Sequence, residues 1–337
     1  VKYTRLGAGG LMVSALAYGN SITARDQLDL DAARGMIDAA VEAGITTFDT
    51  ADVYADGAAE TFLGEALAAH PRENIVLCTK VGRSKKPDPN QGRLSRKHIL
   101  DSIDGSLRRL GTDYVDLYQA HRYDPDTPVE ETVVAFADLV RAGKVRYFGV
   151  SEWPAPALRE AAKIAAELRT PLVSNQPQYN LLWRVIEGEV IPTSQELGIS
   201  QIAWSPLAGG ILTGKYRAGG DAPEGSRGSL KIGAMSIDRW NYRDPIVLAA
   251  VDRLVPLAAE AGLTLPVLAL AWVLRNPAVA SAIAGASRPE QLAANLAAVD
   301  TVLDDDLVKA VEVALAPAVR DNPILTADPL GPAARFH

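Results

Sequence analysis

The sequence predicts a closed (β/α)8 barrel, with a β-hairpin ahead of it and an extra helix at its C-terminal end. Three observations carry this. Short apolar, strand-like runs alternate eight times with helix-periodic segments, and such alternation demands a parallel sheet with helices outside it. No composition break divides the 337 residues, and α/β barrels of this length are commonly one domain, here 1–337. The turn after the first strand reads Gly19-Asn20-Ser21. An open dinucleotide-binding sheet, the main alternative, would carry G-x-G-x-x-G there.

The elements follow in order. The opening LGAGGLMVSALAYG has some of the apolar character of a signal peptide, but Gly9-Gly10 interrupts it. A hairpin leading into a strand at Ala15–Gly19 is the reading adopted. Asp29–Ala43 is helical, with Ala33, Ile37, Ala40 and Val41 on one face and Gly44 as its stop. Thr46–Asp49 is a strand, Ala58–Ala69 a helix and Ile75–Lys80 a strand. Ser95 caps a helix that buries Ile99, Ile103, Leu107 and Leu110. Val115–Ala120 is a strand, and Thr127-Pro128-Val129-Glu130 reads as a capping box opening a helix to Ala142. Then come a strand at Arg146–Ser151, a helix at Pro154–Leu168, a strand at Leu172–Gln176, a helix at Glu187–Leu197 and a strand at Ile199–Trp204. Ser205 to about Asp244 is an irregular, Gly- and Ser-rich stretch, and such loops usually carry function. Helices at Ile246–Ala261 and Leu265–Arg275, a last strand at Ala280–Ile283, its helix Arg288–Val299 and a final helix Asp304–Ala316 complete the chain.

Composition narrows the function. Hydrophobic residues make up 48% and charged residues 22%, with a net charge of −7. There is no dense Lys/Arg block, so no nucleic-acid partner is expected. No apolar run reaches transmembrane length, so no membrane segment is expected either. The single cysteine, Cys78, sits in an apolar strand run. It reads as a buried structural thiol, and together with the lack of any internal disulfide it fits a cytoplasmic setting. Four histidines and one cysteine show no metal-ligand spacing, so no metal is expected.

Four polar residues stand at or just beyond strand ends: Asp49 and Tyr54 in TTFDTADVY, Lys80 in NIVLCTK and His121 in VDLYQAHRYD. A parallel barrel collects its chemistry at the C-terminal ends of its strands. Asp49 and Lys80 end adjacent strands, so the lysine has an expected carboxylate neighbour. That partner also argues against a Schiff-base lysine. A phenol is too weak an acid at neutral pH unless a cation assists it, and Lys80 is placed to do so. His121 is the one histidine that follows a strand. Together the four can deliver a proton to a carbonyl oxygen.

Two further motifs concern phosphate. Gly209-Gly210-Ile211-Leu212-Thr213-Gly214-Lys215 matches G-x-x-x-x-G-K, but Tyr216 stands where Mg²⁺ chemistry needs Ser or Thr. Nucleotide hydrolysis is therefore rejected, while close approach of the glycine backbone to a pyrophosphate is retained. Ser287-Arg288-Pro289-Glu290 opens the last barrel helix as a capping box, a ready anion site.

With FDTADVY, LCTK, YQAHR, NQPQYN, WSPLAGGILTGKY and AIAGASRPEQLAANL in place, the chain resembles an aldo-keto reductase over about Lys2 to Ala316. It is most similar to the branch that holds the β subunits of voltage-gated potassium channels and their bacterial relatives. The resemblance implies a (β/α)8 TIM barrel that binds NADPH/NADP+ and reduces a small-molecule carbonyl substrate. Tyr54 would be the general acid, tuned by Lys80 and Asp49, and His121 would orient the carbonyl. Ser151 and Gln176 would hold the nicotinamide carboxamide. Trp204, Ser205, Pro206, Leu207, Gly209 and Lys215 would run along the pyrophosphate, with Arg227 over it. Gly285, Ser287, Arg288, Gln291 and Asn295 would take the adenosine 2′-phosphate and adenine. Asn20, Ser21 and Gln27 match the strand end and loop beside the cofactor. Glu152 departs from the Asn that many relatives carry, and Ala294 from a common Glu. The similar branch includes tetramers, so a homo-oligomer is compatible with the resemblance, as is a regulatory, NADPH-binding subunit with little turnover. The His121 position is often Asn in channel-associated members, so His121 favours an enzyme. Trp153, Trp183, Trp240 and Tyr242 are expected as walls of the substrate pocket.

Overall fold

The structure is a computed structural model and describes residues 1–21, 30–82, 89–217, 219–224, 226–229, 237–286 and 288–326. Strands β1 (Tyr3–Arg5) and β2 (Met12–Ser14) form an antiparallel hairpin. Eight parallel strands then close into a barrel: β3 (Leu16–Gly19), β4 (Thr47–Asp49), β5 (Val76–Val81), β6 (Val115–Ala120), β7 (Val145–Val150), β8 (Leu172–Asn175), β9 (Ser200–Trp204) and β10 (Val279–Ala284). The last strand pairs with the first, Ala282 opposite Leu16 and Ala284 opposite Tyr18. The expected barrel and its leading hairpin are both present.

Helices α1 (Leu30–Glu42), α2 (Ala58–Leu67), α3 (Arg96–Leu110), α4 (Val129–Arg141), α5 (Ala155–Glu167), α6 (Val190–Leu197), α7 (Pro245–Glu260), α8 (Leu265–Leu274), α9 (Pro289–Leu296) and α10 (Asp305–Leu315) surround it. Their sequence signals act as expected in most cases. Ser95 Oγ accepts the His98 N–H at 3.3 Å and caps α3, which buries Ile99, Ile103, Leu107 and Leu110. Met36 joins Ala33, Ile37 and Ala40 on the buried face of α1, whereas Val41 is only half-buried.

Two expectations are corrected. The capping box at Thr127 does not form: α4 starts without a side-chain cap, and Thr127 Oγ1 instead donates to Asp124 Oδ2 at 2.6 Å. A hydroxyl that donates can still accept, so it is the turning of the Thr127 side chain toward Asp124 that leaves the first turn uncapped. The helix expected over Glu187–Leu197 is split into a 3-10 turn, Val185–Glu187, and α6. Glu187 is drawn to Arg184 and Tyr179, which it meets at 3.0 and 2.8 Å.

The hairpin shuts the N-terminal end of the barrel. Leu6 and Val13 pack with Val76, Cys78, Leu117, Val173, Ile202 and Ala280 into an apolar layer inside the strands. Side chains alternate along each strand, so the inward parity of Val76 and Cys78 carries on to Lys80. Likewise Leu117 leads to Gln119. Register places Lys80 beside Gln119 and Gln119 beside Gly149. An apolar floor therefore supports a polar layer at the C-terminal mouth. Cys78 is free and buried in that floor, and burial, then the nearby Asp49 carboxylate, pushes its thiol pKa up. Among the described residues no single helix is long and apolar enough to cross a membrane.

Gly149 makes room in the polar layer. A Cβ there would stand 2.2 Å from Ser174 Oγ and 3.4 Å from Gln119 Cγ. Gly149→Ala should therefore destabilise the barrel by about 1–3 kcal/mol through overpacking. Urea denaturation measures this, and adding Ser174→Gly should recover part of the loss. An unchanged midpoint for the single variant would show that the layer yields freely.

Candidate active site

The mouth is built around one buried ion pair. Lys80 is fully buried at the end of β5, and Asp49 ends β4 beside it. The Lys80 ammonium donates to Asp49 Oδ1 at 2.5 Å, to the Thr50 carbonyl at 2.8 Å and to Tyr54 Oη at 3.4 Å. Its three hydrogens are thereby placed. Burial pulls the Lys80 pKa down, but attraction to Asp49 and Tyr54 and the hydrogen bonds to both outweigh it and leave the group above its ordinary value. Asp49 Oδ2 accepts from Gln176 Nε2 at 2.9 Å and from Gln119 Nε2 at 3.5 Å.

Tyr54 reaches the mouth on a tight loop. Ala55 and Asp56 are left-handed, φ 49° and 57°, and Gly57 follows at 91°. Asn20 Nδ2 donates to the Ala59 carbonyl at 2.8 Å and ties this loop to the end of β3. Behind it, Glu60 is fully buried and accepts from Thr79 Oγ1 at 2.6 Å and Arg109 Nε at 2.8 Å. His121 follows β6, its N–H bonded to the Val81 carbonyl at 2.7 Å. Its ring stands edge-on to Tyr54, with centroids 5.5 Å apart and planes at 80°. The structure thus brings Asp49, Tyr54, Lys80 and His121 to one place. A carbonyl oxygen set between the Tyr54 hydroxyl and the His121 ring would face a phenol backed by a cation.

Residues that the sequence assigned to a cofactor spread from this point along the mouth. Ser151 is 1% exposed at the end of β7, and its hydroxyl donates to the Gln176 carbonyl at 2.7 Å. The Gln176 amide also donates to Gln119 Oε1 at 3.3 Å. Its nitrogen therefore serves Asp49 and Gln119, and its oxygen is the atom left for a ligand N–H. Trp204 at the end of β9 and Ser205 and Leu207 after it are half-buried, while Pro206 is buried. Ser205, Ala208, Gly209 and Gly210 all take positive φ, at 53°, 49°, 69° and 99°. Left-handed runs of this kind aim backbone amides into an anion-binding concavity. The G-x-x-x-x-G-K run folds as a 3-10 turn, Ala208–Thr213, with Lys215 exposed beyond it. At the far end Gly285 and Arg288 are exposed, Gln291 is half-buried and Asn295 is buried on α9. Ser21 is exposed after β3. Gln27, Ser287 and the side chain of Arg227 lie outside the described residues.

Gln119 and Arg122 were not singled out from the sequence, and Glu152 only as a departure from relatives. Gln119 could have been found, because a Gln with the inward parity of Leu117 in an apolar strand must meet a polar layer. Arg122 and Glu152 are buried beside His121 and Ser151. The four expected pocket walls are different: Trp153, Trp183, Trp240 and Tyr242 are all buried. Trp153 packs edge-on against Tyr123, Trp183 against Trp240, and Tyr242 Oη accepts from Gln178. All four are packed against neighbouring side chains. Large aromatics on loops are drawn into any available core, and residue type alone does not reveal this. Among the described residues no group of three His, Cys, Asp or Glu is placed to hold a metal ion.

Comparison with known proteins agrees with this geometry. The model of the aldo/keto reductase family matches residues 14–316, and the chain belongs to that family. Among similar curated proteins, a probable voltage-gated potassium channel subunit beta of Oryza sativa subsp. japonica is 40% identical over 93% of this chain and 96% of its own length. One from Arabidopsis thaliana is 41% identical over 90% and 92%. A putative one from Schizosaccharomyces pombe is 40% identical over 93% and 92%.

Asp52, two residues before Tyr54, carries a consequence for stability. Burial, then repulsion from Glu60, pushes its carboxyl pKa up to about 8. Its Oδ1 has no hydrogen-bond partner among the described residues. A carboxyl whose folded pKa is raised contributes stability that is complete below its unfolded pKa and lost as pH rises through the folded one. Asp52→Asn mimics the protonated form at every pH. Its melting temperature should exceed that of the wild type by a margin that grows between about pH 4 and pH 8, then levels off. A margin independent of pH would refute the assignment.

Proposed function

We propose that this chain is an NADPH-dependent reductase of aldehydes and ketones, with Tyr54 as general acid. The observation that carries the reading is the contact of Tyr54 Oη with the Lys80 ammonium, 3.4 Å away, with the His121 ring edge-on beside it. Members of the family generally use nicotinamide cofactors, and the residues present fit such a group. Ser151 and Gln176 each keep an acceptor for a carboxamide N–H. The left-handed turn after β9 suits a pyrophosphate, and Lys215 and Arg288 are exposed cations along the same line. In this reading Trp204, Ser205, Pro206, Leu207 and Gly209 border the pyrophosphate. Gly285, Arg288, Gln291 and Asn295 take the adenosine end, and Asn20 and Ser21 flank the ring. When bound, the cofactor supplies hydride. The chain's own part is the proton: Tyr54 gives it to the carbonyl oxygen, and Lys80 stabilises the charge left on the phenol oxygen. Asp49 keeps Lys80 in place, and His121 orients the carbonyl. The single free cysteine fits a cytoplasmic setting.

A second reading, a nicotinamide-binding regulatory subunit with little turnover, is favoured by the names of the relatives at about 40% identity. Oxidation of NADPH with a panel of aldehydes separates the two. Tyr54→Phe keeps the ring and removes the proton donor. It should lower turnover roughly 10²–10⁴-fold while NADPH affinity, read by fluorescence, stays within about threefold. Turnover close to wild type would end the general-acid assignment.

Arg288 should set the preference for NADPH over NADH, which differ by a 2′-phosphate. A charge-assisted hydrogen bond is worth about 1.5–3 kcal/mol, so Arg288→Ala should weaken NADPH roughly 10- to 100-fold and leave NADH nearly unchanged. Equal losses for both cofactors would place the phosphate elsewhere.

A further inference from the structure

The mouth holds a second pair of opposite charges that the chemistry above does not use. Arg122 is 7% exposed, and a guanidinium stays cationic in a protein. Burial pulls its pKa below the ordinary value, and attraction to Glu152 pushes back. A buried cation needs acceptors, and those of Arg122 are specific. Its Nη1 donates to the His121 carbonyl at 2.7 Å and to Ser151 Oγ at 3.2 Å. Its guanidinium carbon lies 5.8 Å from the centre of the Trp204 ring. Glu152 is left-handed at φ 59°, and its Oε1 accepts from Gln178 N at 2.6 Å and from Trp204 Nε1 at 2.7 Å. Together the two residues link the ends of β6, β7 and β9.

The effect falls on Ser151. A hydroxyl has one hydrogen and two lone pairs. The hydrogen is committed to the Gln176 carbonyl and one lone pair to Arg122. What remains can only accept. We propose that Arg122 is a positioning residue that fixes Ser151 as an acceptor for the cofactor carboxamide N–H, with Glu152 as its countercharge. This rests on the cofactor reading above. Through its bond to the His121 carbonyl, the same guanidinium also ties the residue that orients the substrate to the residue that holds the ring, so hydride and proton delivery share one frame.

The test is a double-mutant cycle read by NADPH binding, with protein fluorescence as the signal. Arg122→Met alone would strand the Glu152 carboxylate, so Arg122→Met/Glu152→Gln removes both charges, and thermal melting checks its fold. Ser151→Ala should weaken NADPH about tenfold when Arg122 is present. In the charge-free background the same change should cost less than about twofold, because the hydroxyl has already lost its fixed orientation. Equal losses in both backgrounds overturn the proposal and leave the cofactor reading standing. A wild-type protein that binds neither NADPH nor NADH overturns both. If the charge-free protein does not fold, Arg122→Lys decides. It keeps charge and donor but not the planar fork, so the Ser151→Ala loss must fall below the wild-type value, and an unchanged loss overturns the proposal.

Discussion

A lysine ammonium shut away from water is tolerable only with a carboxylate in contact, and the rest of the mouth depends on the pair Asp49 and Lys80. Removing one partner of such a pair leaves a bare buried charge and costs about 3–5 kcal/mol. The pair also does geometric work. Through Lys80 it holds the Thr50 carbonyl and the Tyr54 hydroxyl, and so sets the start of the loop that carries Tyr54. Through Asp49 Oδ2 it holds Gln176, which lies beyond β8. The Tyr54 hydroxyl and the Gln176 amide thus hang from a single contact between adjacent strands.

That contact is possible because the barrel separates its layers. The floor of Leu6, Val13, Cys78, Leu117 and Val173 excludes water from below. The layer above it is polar, with Lys80, Gln119 and Gln176 satisfying one another and Asp49. Low polarity beneath strengthens each of these interactions and raises the cost of leaving one unmade. Outside the strands a second polar cluster, Glu60 with Thr79 and Arg109, braces the loop from behind. The loop can therefore keep Ala55 and Asp56 in left-handed conformations, which cost roughly 1–3 kcal/mol each unless the surroundings impose them.

Strand-end chemistry was legible in the sequence because two rules coincide there. Alternation fixes which residues face inward, and the parallel barrel fixes which end carries function. Asp49, Lys80 and His121 could be placed by those rules alone. Tyr54 needed its company, since a loop tyrosine has no period to betray it. Arg122 escaped notice, and Glu152 was seen only as a departure from relatives, because their meaning is a matter of partners: a guanidinium after a histidine reads as surface until its acceptors are known. The tryptophans are hard to read for a related reason. Trp153 and Trp183 sit in irregular segments, where no periodicity separates wall from core. The Thr127 cap was a correct local signal overruled by a carboxylate three residues earlier, Asp124.

The closure of the barrel has a cost in time as well as in space. β3 pairs with β4, close behind it in the chain, but its other edge waits for β10, with Ala282 opposite Leu16. The Ser281 hydroxyl bonds the Ser14 carbonyl across 267 positions. During synthesis on a ribosome, the first barrel strand keeps one open edge until β10 has emerged. Open strand edges invite pairing with other chains, and long-range closures of this kind form slowly. The nascent protein therefore passes through a long interval in which its earliest strand is its most exposed one, and chaperone demand should fall on that interval.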